Sequence, residues 1–453
     1  MIRRYALTLL ALFLVVFPGG AQEWLMTVPQ KAVFSVASNP LNRSSVLAGN
    51  YSRGFLASTD GGGTWQELSV GDLSGTSQIS TLLYHPRDTT TLFAGGVGFT
   101  GLDRSTDAGM TWENVLKDPV GFRFEVSCNG SIAFHPGRPD TMYVIRSSPG
   151  VIFRSVNRGE NWDSIGAIPG LTGTDRMRAL AICPDVDSAH IMLACGRRST
   201  IYRSSDGGRT WASSGYAFGG QPDTDGSQIR WSPTTPGKVY ATAQFSLIQN
   251  TGNGGLHVSE DYGLTWKVMK FQDTSLYALE VFPTKSGDEI FVGGSQLSTS
   301  NPALKGDSIV YRSPDGGTTW QDLSNVSWTE NELGESVANV WGFALVNVDG
   351  HSEVLMATEV GAYRSTAVTS VNEIRRFAGE IDLRSTGNNV LVTMPESVNT
   401  GTYAITTVLG QLVSTGTLSG GGIQRIDLSG YPTAPYLIRV VAGDRVGAMI
   451  TIR

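Results

Sequence analysis

The sequence predicts an all-β protein: a seven-bladed β-propeller of four-stranded blades followed by a small C-terminal β-sandwich. Three observations carry this expectation. An octapeptide ending in tryptophan recurs six times, with its tryptophans at 65, 112, 162, 211, 266 and 320. Each copy closes a unit of short apolar strands separated by proline and glycine turns. A seventh, partial unit lacks one strand, which the N-terminal segment can supply.

The octapeptides read STDGGGTW (58–65), STDAGMTW (105–112), SVNRGENW (155–162), SSDGGRTW (204–211), SEDYGLTW (259–266) and SPDGGTTW (313–320). An Asp side chain accepts hydrogen bonds from backbone N–H groups inside a tight turn. Glycine permits φ > 0 where a hairpin reverses, and tryptophan buries a large apolar surface between sheets. The expected roles of Asp60, Asp107, Asp206, Asp261 and Asp315 are therefore structural, as are those of Trp65, Trp112, Trp162, Trp211, Trp266 and Trp320. In the third copy Asn157 replaces Asp, and its amide oxygen can still accept. The pattern S-x-D-x-G-x-T-W resembles the Asp-box (bacterial neuraminidase) repeat. That resemblance implies boxes on the propeller periphery, away from a substrate face.

Around each octapeptide the unit has a fixed plan. A first strand ends in a proline turn, as in TLLYHP (81–86), IAFHP (132–136), LAICP (180–184), IRWSP (229–233) and LEVFP (279–283). A second strand follows, as in TLFAGG (91–96), IMLACG (191–196) and EIFVGG (289–294). A third, often reading YRS, leads into the octapeptide, whose Trp opens a fourth. The seventh unit has three strands, at 341–347, 352–360 and 361–367. EWLMTVP (23–29) places Trp24 where its box tryptophan would stand, so residues 24–28 are expected to complete that blade and remove the open edges of a linear array.

Both ends carry other signals. Residues 1–21 have a signal-peptide layout, with Arg3 and Arg4 before an apolar run from Ala6 to Phe17 and Gly19-Gly20-Ala21 as a small-residue cleavage site. The run is short for a membrane span, and no later segment approaches that length, so the expectation is Sec export with no transmembrane segment after cleavage. The propeller is assigned 22–370, a linker 371–381, and a C-terminal β-domain 382–453. In that tail a Tyr403-led strand, Ile426-Asp-Leu-Ser429, Pro435-Tyr-Leu-Ile-Arg-Val440 and a short final strand resemble the type IX secretion sorting domain. It lacks a Tyr-Pro-Asn-Pro opening and ends Ile-Arg. The resemblance implies secretion or outer-surface display, with the type IX machinery as partner.

A formal charge of −6 gives no electrostatic footprint for nucleic acid or anionic membrane. The three cysteines, Cys128, Cys183 and Cys195, make neither a disulfide framework nor a zinc pattern. Cys183 and Cys195 fall on neighbouring strands, leaving both a bridge and buried free thiols open. His85 and His135 read as turn residues, and neither metal nor cofactor is expected.

In a propeller the octapeptide turns share one face with the first-to-second-strand turns. The inter-blade and second-to-third connections share the other. Long loops on a rigid scaffold are where binding residues concentrate, so ligand-binding candidates fall on this second face: Arg123, Glu125, Arg176, Arg178, Asp223, Asp225, Trp328, Glu330 and Glu332, with Tyr216, Glu335 and Trp341 beside them. Two functions follow. The first is a non-catalytic module binding glycan or a surface protein. The alternative is a glycoside hydrolase, sialidase-like or xyloglucanase-like, using a carboxylate pair on the loop-rich face, with Asp223 or Asp225 facing Glu330, Glu332 or Glu335. The Arg-Ile-Pro motif of sialidases is missing. Xyloglucan-type hydrolases, which share YRSTDGG-like boxes, work across a cleft between two propellers, whereas this chain shows one.

Overall fold

The computed structural model describes residues 24–29, 31–50, 54–69, 73–74, 78–117, 130–171, 176–196, 200–218, 225–244, 254–272, 274–297, 305–326, 328, 339–365, 382–386, 388–394, 400–407, 412–420, 422–432, 434–442 and 445–452. The leader at 1–21 and the linker at 371–381 therefore lie outside the described residues.

Seven four-stranded antiparallel sheets form the blades. Blades 1 to 6 are sequential, with inner strands Val33–Asn39, Gln78–Tyr84, Ile132–His135, Met177–Ile182, Asp225–Trp231 and Thr274–Thr284. Blade 7 takes three strands from Val340–Val348, His351–Thr358 and Gly361–Ser365, and its outer strand from Trp24–Pro29. Trp24 pairs with Ser365 and Pro29 with Gly361, so the first described strand closes the ring. The expected seven-bladed architecture is the one observed.

The six octapeptides share one turn. In the first, Asp60 Oδ1 accepts from the N–H groups of Gly63 and Thr64 at 2.9 Å each, and Oδ2 from Thr64 Oγ1 at 2.8 Å. Ser58 Oγ accepts from Gly62 N at 2.8 Å, and the Trp65 indole donates to Gly62 O at 3.1 Å. Gly62 needs φ +88, and its counterparts in the other five copies also have positive φ. Asn157 keeps a shortened version, accepting from Asn161 N at 3.0 Å. The turn is also tied to the first-to-second turn of its own blade, as in Gly61 N to Ser44 O at 2.9 Å and Gly316 N to Asp288 O at 2.8 Å. These bonds put both turn types on one face.

Each tryptophan wedges its own blade against the preceding one. Trp112 packs with Leu47 and Phe55 of blade 1, Trp211 with Tyr143 and Ile152 of blade 3, and Trp266 with Leu193 and Ile201 of blade 4. Trp65 meets Leu355 of blade 7, Trp162 packs beside Phe93 of blade 2, and Trp320 beside Tyr240 of blade 5. Trp24 performs this role for blade 7, packing with Phe282, Phe291 and Val310 of blade 6. The core is thus a ring of inter-blade seams, each with one large aromatic anchor.

The C-terminal piece is a sandwich of a three-stranded and a four-stranded sheet around Leu383, Val390, Ile405, Ile426, Ile438 and Val440. Cys183 and Cys195 are both buried with free thiols, and Cys128 lies outside the described residues. His85 Nδ1 accepts from Arg87 N at 3.3 Å within its own turn, and its Nε2 lies 3.0 Å from Pro139 O of blade 3.

Candidate functional site at the channel mouth

The inner strands surround the propeller axis, and six of the seven are irregular at one place. The pairing of inner with second strand shifts by one residue at Phe34, Ser80, Arg178, Ser227, Tyr277 and Trp341. In five of these the extra residue stands six before the turn proline: Pro40, Pro86, Pro184, Pro233 and Pro283. A bulge bends the strand and re-aims the side chain it carries. Glycines opposite make room for it. A Cβ on Gly96 would stand 1.7 Å from Gln78 O, one on Gly196 2.0 Å from Arg176 O, and one on Gly294 1.9 Å from Ser275 O.

The bulged residues lie near the start of the inner strands, on the face opposite the octapeptide turns, and they make an asymmetric ring. On blades 6, 7 and 1, Tyr277 meets Trp341 edge-on with centroids 5.2 Å apart, and Trp341 meets Phe34 at 5.7 Å. Phe34 and Trp341 are buried, and Tyr277 is half-buried. On blades 2 and 5 the same place holds the small hydroxyls Ser80 and Ser227. Blade 4 supplies Arg178, whose carbonyl accepts from Ser131 Oγ of blade 3 at 3.1 Å.

Charge is concentrated beside the aromatic arc. Arg178 Nη1 lies 3.2 Å from Asp225 Oδ2, with both side chains largely buried, and Gln244 Nε2 donates to the same oxygen at 3.3 Å. In the second-to-third turn of blade 7, Glu359 accepts from Asn339 N at 3.1 Å and Asn339 Nδ2 at 3.0 Å. Burial raises the pKa of the Tyr277 phenol; a side-chain hydrogen bond with Ser275 and the charge of Arg178 oppose the rise, while Glu359 and Asp225 add to it. Two carboxylates, on blades 5 and 7, thus act on one phenol on blade 6.

Of the sequence-predicted residues, the structure brings Arg178 and Asp225 together and adds Trp341. Both members of the ion pair belong to inner strands rather than to the long loops where the sequence had placed them. Arg176 immediately precedes the blade 4 inner strand. Trp328 is half-buried and packs against Tyr363 at 5.4 Å in the seam between blades 6 and 7. Tyr216 is likewise a seam residue, its hydroxyl 2.8 Å from His257 Nδ1. Arg123, Glu125, Asp223, Glu330, Glu332 and Glu335 lie outside the described residues. Phe34, Tyr277 and Glu359 were not singled out from the sequence, although the six-residue count back from each proline would have found the first two. Among the described residues no group of three or more His, Cys, Asp or Glu side chains could hold a metal ion.

No family profile matches the chain. It is similar to a xyloglucanase of Paenibacillus sp., with 27% identity over 318 residues, covering 64% of this chain and 26% of that protein. It is similar also to the xyloglucanase Xgh74A of Acetivibrio thermocellus, with 27% identity over 316 residues, covering 64% and 32%. The chain thus spans about a third or less of these relatives. Among solved structures, an ancestral GH74 enzyme superposes with TM-score 0.54 at 15% identity, covering 95% of this chain and 64% of that one. The GH74 xyloglucanase from Xanthomonas campestris gives 0.53 at 16% identity, covering 95% and 74%. The chain is a β-propeller protein, and its curated relatives are glycoside hydrolases.

Proposed function

We propose that this protein is a polysaccharide-directed propeller of glycoside-hydrolase type, with xyloglucan and related β-glucans as its substrate class and Asp225 and Glu359 as its working carboxyl groups. The similarity to xyloglucanases across 64% of the chain carries this reading. It favours the hydrolase over the non-catalytic binding module. Glycosidic hydrolysis needs two carboxyl groups, one to protonate the leaving oxygen and one to act as base or nucleophile. Asp225 and Glu359 both bear electrostatically on the Tyr277 phenol, from blades 5 and 7, so in this reading one propeller supplies both. Arg178 and Asn339 orient them.

The test is a panel of polysaccharides including xyloglucan, mixed-linkage glucan and a sialylated glycan, incubated with the full chain. Release of reducing sugar from a β-glucan supports the proposal. Release of sialic acid alone, or no release from any polymer, contradicts it.

The octapeptides, read as Asp boxes, belong to the same proposal. So does delivery to the cell exterior by Sec export followed by type IX secretion through residues 382–453. Deleting 382–453 in a host with that machinery should strand the propeller in the periplasm. Unchanged secretion would remove the sorting role.

A further inference from the structure

Asp103 breaks the pattern of the seams. Two residues before the octapeptide serine, or before its blade 7 counterpart Ser365, the third strand of the other blades carries Leu56, Phe153, Tyr202, His257, Tyr311 and Tyr363. These pack into the inter-blade clusters. Blade 2 has Asp103 at this place, fully buried, beside a blade 1–2 seam built from Phe55, Leu68, Leu73 and Trp112. Among the described residues no Lys, Arg or His side chain pairs with it. A buried carboxylate is costly unless a counter-charge or a metal ion compensates it. Aspartate is also smaller than the rings it replaces, so the exchange leaves room in the seam.

Oxygen donors gather around it. Asp103 Oδ2 accepts from Ser74 N at 2.6 Å. Asn114 stands opposite Asp103 on the fourth strand, which puts both side chains on one face of the blade with their β-carbons about 5 Å apart. Glycine at 101 leaves the amide its place, for a Cβ there would stand 2.7 Å from Asn114 Oδ1 and 2.8 Å from Nδ2. Burial raises the pKa of Asp103, and the Ser74 hydroxyl and N–H and the Asn114 amide oppose the rise, so all are its close neighbours. Yet Asp103 Oδ1, Ser74 Oγ and both amide atoms of Asn114 are buried with no hydrogen-bond partner. Polar groups that could bond one another stand apart instead, as they do around an intervening ligand. We propose that a small hard metal cation occupies this seam, held by Asp103 Oδ1, Ser74 Oγ and Asn114 Oδ1. All three donors are oxygens, the choice of hard cations, and the set has no thiol or imidazole for zinc or copper. One carboxylate balances one charge, so the ion is sodium or potassium; a doubly charged ion would leave a buried positive charge. The ion ties the third strand of blade 2 to the blade 1–2 connection at Ser74, where other seams use a ring.

The experiment is a set of thermal melts of the full chain at fixed pH and ionic strength in the chlorides of sodium, potassium, calcium and N-methylglucamine, the last too bulky for the seam. Wild type should melt a few degrees higher in sodium or potassium than in N-methylglucamine, because an ion that binds only the folded state stabilises it. Asp103→Asn, which keeps the shape and removes the charge, should lose that preference. Asp103→Tyr, the residue of blades 4, 6 and 7, serves as the comparison if Asp103→Asn fails to melt cooperatively. Equal melting of wild type in every chloride overturns the site, since a proton on Asp103 then balances its charge. A sodium or potassium effect that the variants keep overturns it as well, being a general salt effect. A rise with calcium alone overturns the assignment of a singly charged ion.

Discussion

The indole Nε1 of Trp24 donates to the backbone carbonyl of Leu323 at 3.1 Å, across 299 residues of sequence. In the six octapeptide blades the tryptophan donates to a glycine carbonyl of its own turn, as Trp112 does to Gly109 O at 2.9 Å. Blade 7 has no such turn, so Trp24 reaches into the preceding blade instead. One residue thereby fills the last seam and bonds across it.

Trp24→Ala should cost about 3–5 kcal/mol, the usual range for emptying a large aromatic site. Trp24→Phe should cost less, keeping most of the packing and losing the hydrogen bond, itself worth about 1 kcal/mol. Denaturant melts of both variants check this. Equal melting of Trp24→Ala and wild type would show that the N-terminal strand does not close the ring.

Asp206 accepts from Arg209 N, Thr210 N, Thr210 Oγ1 and Ser204 Oγ. Burial raises its pKa, but these bonds together outweigh that effect and hold it at about 2. A folded pKa below the unfolded value gives stability that is present above about pH 4 and is lost as pH falls toward 2. Asp206→Ala should therefore destabilise by about 1–2 kcal/mol at neutral pH and converge with wild type near pH 2. Asp206→Asn should lose less, because Asn157 already makes a working turn in blade 3. Thermal melts of the three proteins from pH 7 to pH 2 decide it.

Gly294→Ala should collapse the blade 6 bulge, since its Cβ would meet Ser275 O at 1.9 Å. We expect a lowered melting temperature and loss of sugar release, because the bulge sets the place of Tyr277 in the ring. Ala substitution at Gly350, where nothing lies within 4 Å but φ is +86, should lower stability through backbone strain alone. Sugar release at equal folded concentration should then be retained. If both variants release sugar alike, the bulge does not position the site.

His257 is buried against Phe218, with ring centroids 4.9 Å apart, and burial lowers its pKa to about 4. The unfolded chain takes up a proton near pH 6.5 that the folded chain refuses. Stability should be full above pH 6.5, fall between 6.5 and 4, and level off below 4, by up to about 3 kcal/mol. His257→Gln should flatten that limb of the stability curve. An unchanged slope would place the acid sensitivity elsewhere.

Much of the fold was legible because its signals are local. An Asp, a Gly and a Trp within eight residues specify a turn and an anchor, and their repetition counts the blades. Trp24 was legible for the same reason, as an anchor missing its turn. The site was harder to read. Arg178 and Asp225 could be named from their loops, but their ion pair depends on blades 4 and 5 standing side by side. Tyr277 sits in an apolar strand where it reads as core, and Glu359 in a short turn that composition does not mark. Both gain meaning only when the ring closes. The bulges themselves leave a trace, the six-residue count before each proline and the glycine opposite, that hydrophobic patterning overlooks.

The most direct test of the central claim is the rate of reducing-end release from xyloglucan by wild type, Asp225→Asn and Glu359→Gln at equal folded concentration. Wild type should release sugar measurably, and each variant should lose at least a hundredfold. Release that survives both substitutions would place the chemistry elsewhere on the chain, and Asp225 and Glu359 would be left as structural members of the channel mouth.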